Sequence, residues 1–378
     1  MTYSFELGPI RPPSEAFSLL IRATINCPWN RCKFCPTYKG KKFQLRPVAG
    51  WDPKRTIPTA IQDRIKELSW KSGYGGRVKE VASMVLNNPP NEAFYNVALW
   101  LYAGGENAFL QDANTLIMRT NQLVEVIRLL RETFPGIRRI TSYGRSKTAA
   151  KKKPEELTEL RQAGLSRLHI GLESGYDPIL QYMDKGVTAA EHITGGRKVV
   201  ESGISLCEYV ILGLGGKEMW REHATQTARV LNEIDPDFVR VRTLTINNRM
   251  PLHNELEKGN FIRATDEEIL EEERLLIEHL ECHSNYVSDH ITNLLPEIEG
   301  KLPQDNERML ASIDRFQALA PEEKANFRVG RRVGIYSQLD DLYDLPKHQT
   351  TEQVTHQLSQ GSNQVDEKTI YALMERFI

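Results

Sequence analysis

Cysteine is scarce: the chain of 378 residues has five, and three of them fall in one nine-residue stretch, Cys27 to Cys35. So few, so unevenly placed, do not make a disulfide framework. Long apolar runs are also missing; no window approaches the 18 residues or more that a membrane-spanning helix needs. The first residues (MTYSFELGPIRPPSE) lack the basic-then-apolar order of a secretory signal. These absences point to a soluble, cytoplasmic protein. Charge of one sign is missing too, with 49 Lys and Arg against 50 Asp and Glu, a formal net charge of −1. No global field draws such a chain to nucleic acid or to an anionic bilayer. The hydrophobic fraction, 40%, is ample for a large core. The length suits two domains, or one α/β barrel with an extension.

What is present is a repeated alternation of strand-like and helix-like segments. Residues 1–16, with Pro9, Pro12 and Pro13, read as an extended arm. Strand-length apolar runs follow at 18–25, 107–111, 137–143, 166–172, 204–212 and 238–244. Helical periodicity fills the intervals, at 59–71, around 78–86, and at 91–102, 121–134, 154–163, 177–183, 188–202 and 217–234. Six strands, each followed by helical sequence, imply a parallel sheet with helices outside it. A partial (β/α)6 TIM-type barrel over 17–252 accommodates them; an open doubly wound sheet is the alternative. Residues 253–345 read as a helical C-terminal extension, with segments at 265–283, 286–298, 305–318, 321–327 and 330–345. Residues 346–378 read as a polar linker and a last short helix.

In a parallel barrel the chemistry gathers where the strands' C-terminal ends meet the following loops. That rule selects Cys27, Cys32 and Cys35 after the first strand, and Asp112 and Asn114 after the second. It selects Ser142, Tyr143 and Arg145 after the third, and Glu173 and Ser174 after the fourth. Ile211 to Gly216 end the fifth, and the sixth carries Arg240 and Arg242. The cysteines are spaced C-x4-C-x2-C. Thiolates delivered from a loop suit zinc or an iron–sulfur cluster. A structural zinc site closes with four ligands, and no fourth Cys or His lies near this loop in sequence. A zinc site completed by a distant residue, or reduced buried thiols, are the other readings. A cubane held by three thiolates leaves one iron open.

With Phe34 just before the third cysteine, the stretch resembles the cluster loop of the radical S-adenosylmethionine (radical SAM) superfamily. The commonest spacing there is C-x3-C-x2-C; one further residue separates the first two cysteines here. The IGLESG run (170–175) and Lys185-Gly186 resemble a pattern shared by porphyrin-processing, elongator-like and cobalamin-binding branches. The resemblance implies a [4Fe–4S] cluster on Cys27, Cys32 and Cys35 that binds S-adenosylmethionine. One electron then cleaves the sulfonium to methionine and a 5′-deoxyadenosyl radical, which abstracts a substrate hydrogen. It implies that Phe34, Asp112, Asn114, Ser142, Glu173, Lys185, Ile211 and Gly213 form the cofactor site. A small-molecule substrate and a flavodoxin- or ferredoxin-type electron donor are the implied partners. Tyr209 stands where porphyrin-processing relatives usually carry Asp, so the resemblance names no substrate. The competing functions are a non-catalytic iron–sulfur or zinc protein and a tRNA-modifying radical enzyme. Near-neutral charge and the lack of an RNA-binding module argue against the last.

Several residues have plainer readings. Gly213-x-Gly215 lacks the third glycine of a dinucleotide fingerprint, since Glu218 stands in its place. His169 lies mid-strand, as a core histidine would. Cys207 and Cys282 are isolated, as buried thiols would be. Gly104-Gly105-Glu106 resembles the GGE motif that binds the cofactor's amino group in many family members. Here, however, it precedes the strand at 107–111 and reads as a helix terminus. Asp112, at the far end of that strand, is the expected acceptor for the amino group.

Overall fold

The computed structural model describes residues 5–46, 59–359 and 365–376. The apolar runs become strands, β1 (Leu19–Arg22), β2 (Thr24–Ile25), β4 (Asn107–Gln111) and β5 (Arg139–Gly144), while β3 (Gln44–Leu45) forms in the basic loop after the cysteines, outside any such run. Then come β6 (Leu165–Glu173), β7 (Ser205–Leu212), β8 (Phe238–Thr243), β9 (Asn285–Val287) and β10 (Gly300–Lys301). The main sheet has the order β1-β4-β5-β6-β7-β8-β9-β10, and β2 and β3 form a small antiparallel ribbon. The order never reverses, as it would at the switch point of a doubly wound sheet. This is the α/β topology of a partial (β/α)6 barrel, continued by two short strands that the apolar pattern does not announce.

The chain divides into two compact units. The first takes residues 1–30, 37–170 and 194–206; the second takes 31–36, 171–193 and 207–378. In the first, β1, β4, β5 and β6 pair in parallel. Phe109, Tyr143 and His169 stand on one face of these strands, ring edges against ring faces. His169 is the buried core histidine its position suggests, with Nε2 3.3 Å from Glu15 Oε1. Burial alone would raise the Glu15 pKa, but bonds from His169 and Ser18 and the charge of Arg139 hold it below the ordinary value. The N-terminal arm is fixed by Gln111, whose side-chain amide bonds Gly8 N–H (2.8 Å) and the Ile10 carbonyl (2.8 Å).

In the second unit β7, β8 and β9 pair in parallel, and β10 closes on β9 antiparallel. Helix Asp266–Glu278 opens with the expected capping box, Thr265 with Glu268. Its first residue is buried: Asp266 bonds Arg332 (2.6 Å) and Arg328 (2.9 Å) of helix Pro321–Val333. Cys207 and Cys282 are buried thiols, as expected.

Three C-terminal expectations are corrected. Residues 286–298 are no helix: Tyr286 and Val287 belong to β9, and buried Ser288, Thr292 and Asn293 bond the backbone of their surroundings instead. The segment 330–345 is not continuous, because Gly334 turns left-handed (φ 79°) and ends helix Pro321–Val333. The polar linker from 346 is helix Leu345–Leu358, with 360–364 outside the described residues. It carries no apolar stripe to announce it. Asp344 caps its first turn, and buried Thr351 and Thr355 satisfy their hydroxyls on the carbonyls one turn back.

Replacing Asp266 with Ala strands the buried Arg332 guanidinium, while Arg328 keeps its pair with Glu367, at a cost of about 3 kcal/mol or more. Urea unfolding followed by circular dichroism should show that loss, with Asp266→Asn losing less. A midpoint unchanged in the Ala variant would show that the pairing is dispensable.

Candidate functional site

The cysteine stretch is held at both ends. Cys27 leads, and the Asn30 N–H approaches its Sγ at 3.3 Å, the kind of amide contact that suits a thiolate. Further on, Lys33 lies in a turn that is bonded on both sides within the second unit. Its N–H donates to the Met183 carbonyl (2.9 Å), and its carbonyl accepts from Leu252 N–H (3.0 Å). Phe34 is thereby buried, in an apolar cluster with Met183, Ile211, Leu252 and Phe261, against which Cys32 and Cys35 also pack. None of the three half-buried cysteines forms a disulfide. Among the described residues no three metal-ligating side chains stand gathered as around an ion. The donor set nevertheless fits a cluster: three thiols within one loop, and an aromatic ring under the last of them.

Glu173 and Lys185 form a buried ion pair, Nζ to Oε1 2.8 Å. Three positions of the IGLESG run have a physical reason for their residue. Glu173 adopts a left-handed φ of 65°, a strained choice for a residue with a side chain. Its carboxylate folds back over Gly171, where a Cβ would collide with Oε1. Gly175 lets helix Trp220–Ile234 approach so closely that a Cβ there would collide with the Gln226 carbonyl. Lys185 Nζ also lies 5.6 Å from the Phe34 ring centroid. Nearby Glu208 is fully buried and neither of its oxygens has a hydrogen-bond partner. Burial raises its pKa well above the ordinary value against the pull of Lys185.

The turn after β7 is supported by residues that sequence reading missed. His223, on helix Trp220–Ile234, places Nε2 3.0 Å from the Ile211 carbonyl. Its Nδ1 meets the hydroxyls of Ser174 (3.0 Å) and Thr227 (3.2 Å). The Ser174 and Thr227 hydroxyls accept from Tyr176 N–H (3.1 Å) and Gly175 N–H (2.8 Å), so each can give its proton to Nδ1. This assigns the neutral tautomer with Nε2–H donating to Ile211. Burial moves the His223 pKa down to about 4, in keeping with that form. From helix Asp266–Glu278, Glu272 accepts the Gly213 N–H at 2.9 Å. Burial raises Glu272 to about 8. Its neighbour Glu273, bonded by the Tyr286 hydroxyl (2.9 Å), is raised to about 8 as well. The network thus ties Ser174, Ile211 and Gly213, the ends of two strands, through uncharged partners. His223 and Glu272 lie 12 and 59 residues from the groups they hold, with no motif to mark them.

Three expected cofactor residues belong to the first unit and already have partners. Asp112 is fully buried; one oxygen receives Arg22 (2.6 Å) and Asn26 N–H (2.7 Å), the other the Tyr38 hydroxyl (3.2 Å). Gly8 lies so close that a Cβ would collide with Asp112 Oδ1. The carboxylate therefore fastens Asn26, the residue before Cys27. Asn114 bonds Thr148 (2.9 Å) and Arg145 N–H (3.2 Å), joining the loops after β4 and β5. The Ser142 hydroxyl donates within the sheet, to the Leu110 carbonyl at 3.0 Å, on the face opposite Tyr143. Gly104 and Gly105 do end helix Glu92–Tyr102, with φ of 104° and 72°. Glu106 accordingly sits at the start of β4, where its carbonyl receives Arg138 and Arg139 N–H.

The family model of the Radical SAM superfamily matches residues 21–227, more than half of the chain, and the protein belongs to that superfamily. No curated protein matches it. Among solved structures it is similar to Elp3 of the archaeon Methanocaldococcus infernus, at 12% identity and a TM-score of 0.42. That alignment covers 57% of this chain and 55% of Elp3. The radical S-adenosylmethionine methyltransferase TsrM of Kitasatospora setae aligns at 16% identity over 68% of this chain and 43% of TsrM, TM-score 0.42. The hydrogenase maturase HydG aligns at 13% identity over 95% of this chain and 78% of HydG, TM-score 0.41. The chain thus spans about half the length of Elp3 and less of TsrM.

Two outcomes follow from the geometry. Asp112→Ala removes the buried partner of Arg22 and releases the start of the cysteine loop. It should lower unfolding stability by about 3 kcal/mol or more. Iron retained per chain should fall with it, and a variant with wild-type stability and iron would refute the anchor. The second outcome concerns pH. A carboxyl at about 8 when folded and 4.5 when unfolded holds an extra proton in the folded state between those values, so stability falls as pH rises across them. Glu272→Gln keeps an acceptor for Gly213 but removes its share of that slope, at most about 1.4 kcal/mol per pH unit. Unfolding midpoints measured from pH 5 to 8 should fall less steeply in the variant; parallel curves would mean that Glu272 is ionised.

Proposed function

We propose that the protein is a radical SAM enzyme that carries a [4Fe–4S] cluster on Cys27, Cys32 and Cys35 and acts on a small molecule. The observation that supports this most is the cysteine stretch itself, pinned through Lys33 with Phe34 buried beside Ile211. When bound, the cluster and S-adenosylmethionine supply the reductive cleavage, with the electron coming from a flavodoxin- or ferredoxin-type donor.

The chain's own residues bind and orient. Lys185 presents its positive charge to a cofactor carboxylate, while Glu173 holds the ammonium in place and keeps one oxygen for a hydroxyl or ammonium. The Ile211–Gly213 backbone, steadied by His223 and Glu272, gives a fixed edge for a flat ring. Phe34 and its apolar neighbours keep water from that region. Asp112, Asn114 and Ser142 contribute by shaping the loops.

Purified without air, the protein should be brown and hold about four iron and four sulfide per chain. Given dithionite and S-adenosylmethionine, it should release 5′-deoxyadenosine and methionine. Cys27→Ala, Cys32→Ala and Cys35→Ala should each lose both colour and cleavage. Stoichiometric zinc without iron would instead mark a binding module.

A further inference from the structure

We infer that the face of β8 carrying Arg240 and Arg242 is an anion site that receives a carboxylate or phosphate group of the substrate. The word substrate rests on the radical-enzyme reading above; the anion site does not. The two arginines stand two residues apart on one strand and therefore share a face. Register places Arg240 beside Tyr209 and Arg242 beside Ile211. Ile211 packs in the cluster of Phe34, against which Cys32 and Cys35 lie, so the arginines occupy the face that meets the cysteine segment.

The charges on this face do not balance. Arg240, its side chain 11% exposed, meets Asp289 at 3.2 Å and the Tyr209 hydroxyl only at 3.5 Å. Its Nε is buried with no partner at all. A guanidinium has five N–H donors, and burying one unbonded costs free energy that a ligand oxygen would recover. Arg242 has no ion pair or hydrogen bond among the described residues. One carboxylate therefore faces two permanent cations. His290 next to Asp289 adds no compensation; burial and then the two arginines press its pKa down to about 4, leaving the ring neutral.

The wall opposite is rigid. β9 pairs with β8 as far as Val287 beside Arg240, and the chain beyond it carries Asp289 and His290. Asn293 then completes the edge of β8 as a further strand would, accepting Thr243 N–H (2.8 Å) and donating to the Val241 carbonyl (3.0 Å). Arg331 and Arg332 hold the carbonyls of Asn293 and Thr292 from helix Pro321–Val333. The site is thus built before any ligand arrives. Planar, paired guanidinium groups suit the bidentate oxygens of carboxylate or phosphate.

The test is calorimetric titration of the full-length protein with inorganic phosphate and, separately, malonate, at low salt. Saturable binding of at least one is expected, and the stronger of the two indicates which group the substrate carries. Arg242→Gln should weaken that binding at least tenfold, and Arg240→Gln likewise. Arg242 is half-buried without bonded partners, so its variant keeps the test open if Arg240→Gln fails to fold. The dissociation constant of S-adenosylmethionine for the cluster-loaded protein should stay within about twofold in Arg242→Gln, as should release of 5′-deoxyadenosine without substrate. No saturable anion binding by the wild type, or binding unchanged in Arg242→Gln, overturns the site. A tenfold loss of S-adenosylmethionine affinity would give the arginines to the cofactor instead. A wild-type protein that binds malonate or phosphate but never cleaves S-adenosylmethionine would sink the radical-enzyme reading and leave the anion site standing.

Discussion

Much of this site depends on a single peptide unit's worth of hydrogen bonding. Lys33 gives its N–H to Met183 and takes one from Leu252, so the turn bearing Cys32 and Cys35 is pinned between the end of helix Asp177–Tyr182 and helix Pro251–Glu257. That placement buries Phe34 in the apolar cluster against which Cys32 and Cys35 also pack. It also makes the sequence after β8 part of the site. Leu252 sits in helix Pro251–Glu257, beyond the last of the six βα strands, and without it the Lys33 carbonyl has no partner. The C-terminal region is therefore a structural component of the cysteine loop, and Glu272 gives it a second hold on the turn at Gly213.

The electrostatics around that region follow one theme: charge is kept where it is paired and removed where it is not. Glu173 and Lys185 are buried together as an ion pair, 2.8 Å apart. Glu208, Glu272 and Glu273 are buried without a cation bonded to them, and their pKa values rise. His223 is depressed for the same reason. The result is a mostly uncharged shell around a single ion pair, in which that pair's field is weakly screened. Arg240 and Arg242 are the exception on the same sheet.

The sequence was most readable where periodicity and composition act locally. The six strands show as apolar runs, the helices between them as stripes, and the cysteine loop as a spacing. Position before β4 reads Gly104 and Gly105 as a helix terminus, and the left-handed glycines after helix Glu92–Tyr102 agree. What stayed hidden was built from long-range pairing. Asp112 has the right place for a ligand contact, but nothing local foretells that Arg22, Asn26 and Tyr38 will fill its oxygens. His223 looks like any polar residue on a surface helix until the helix closes on Gly175. Helix Leu345–Leu358 was misread because threonine hydroxyls, bonded to their own backbone, can be buried without an apolar pattern.

The two glycines that bracket Glu173 have separate duties, and this changes what the short motif records. Gly171 gauges how far a carboxylate can fold back; Gly175 gauges how near a neighbouring helix can come. The letters G-L-E-S-G are thus a pair of clearances written in residue names. A homologue that kept the acid but enlarged the second glycine would preserve the spelling's chemistry and lose its fit. Its helix would have to stand off, and Ser174 would lose the imidazole that now joins it to the next strand.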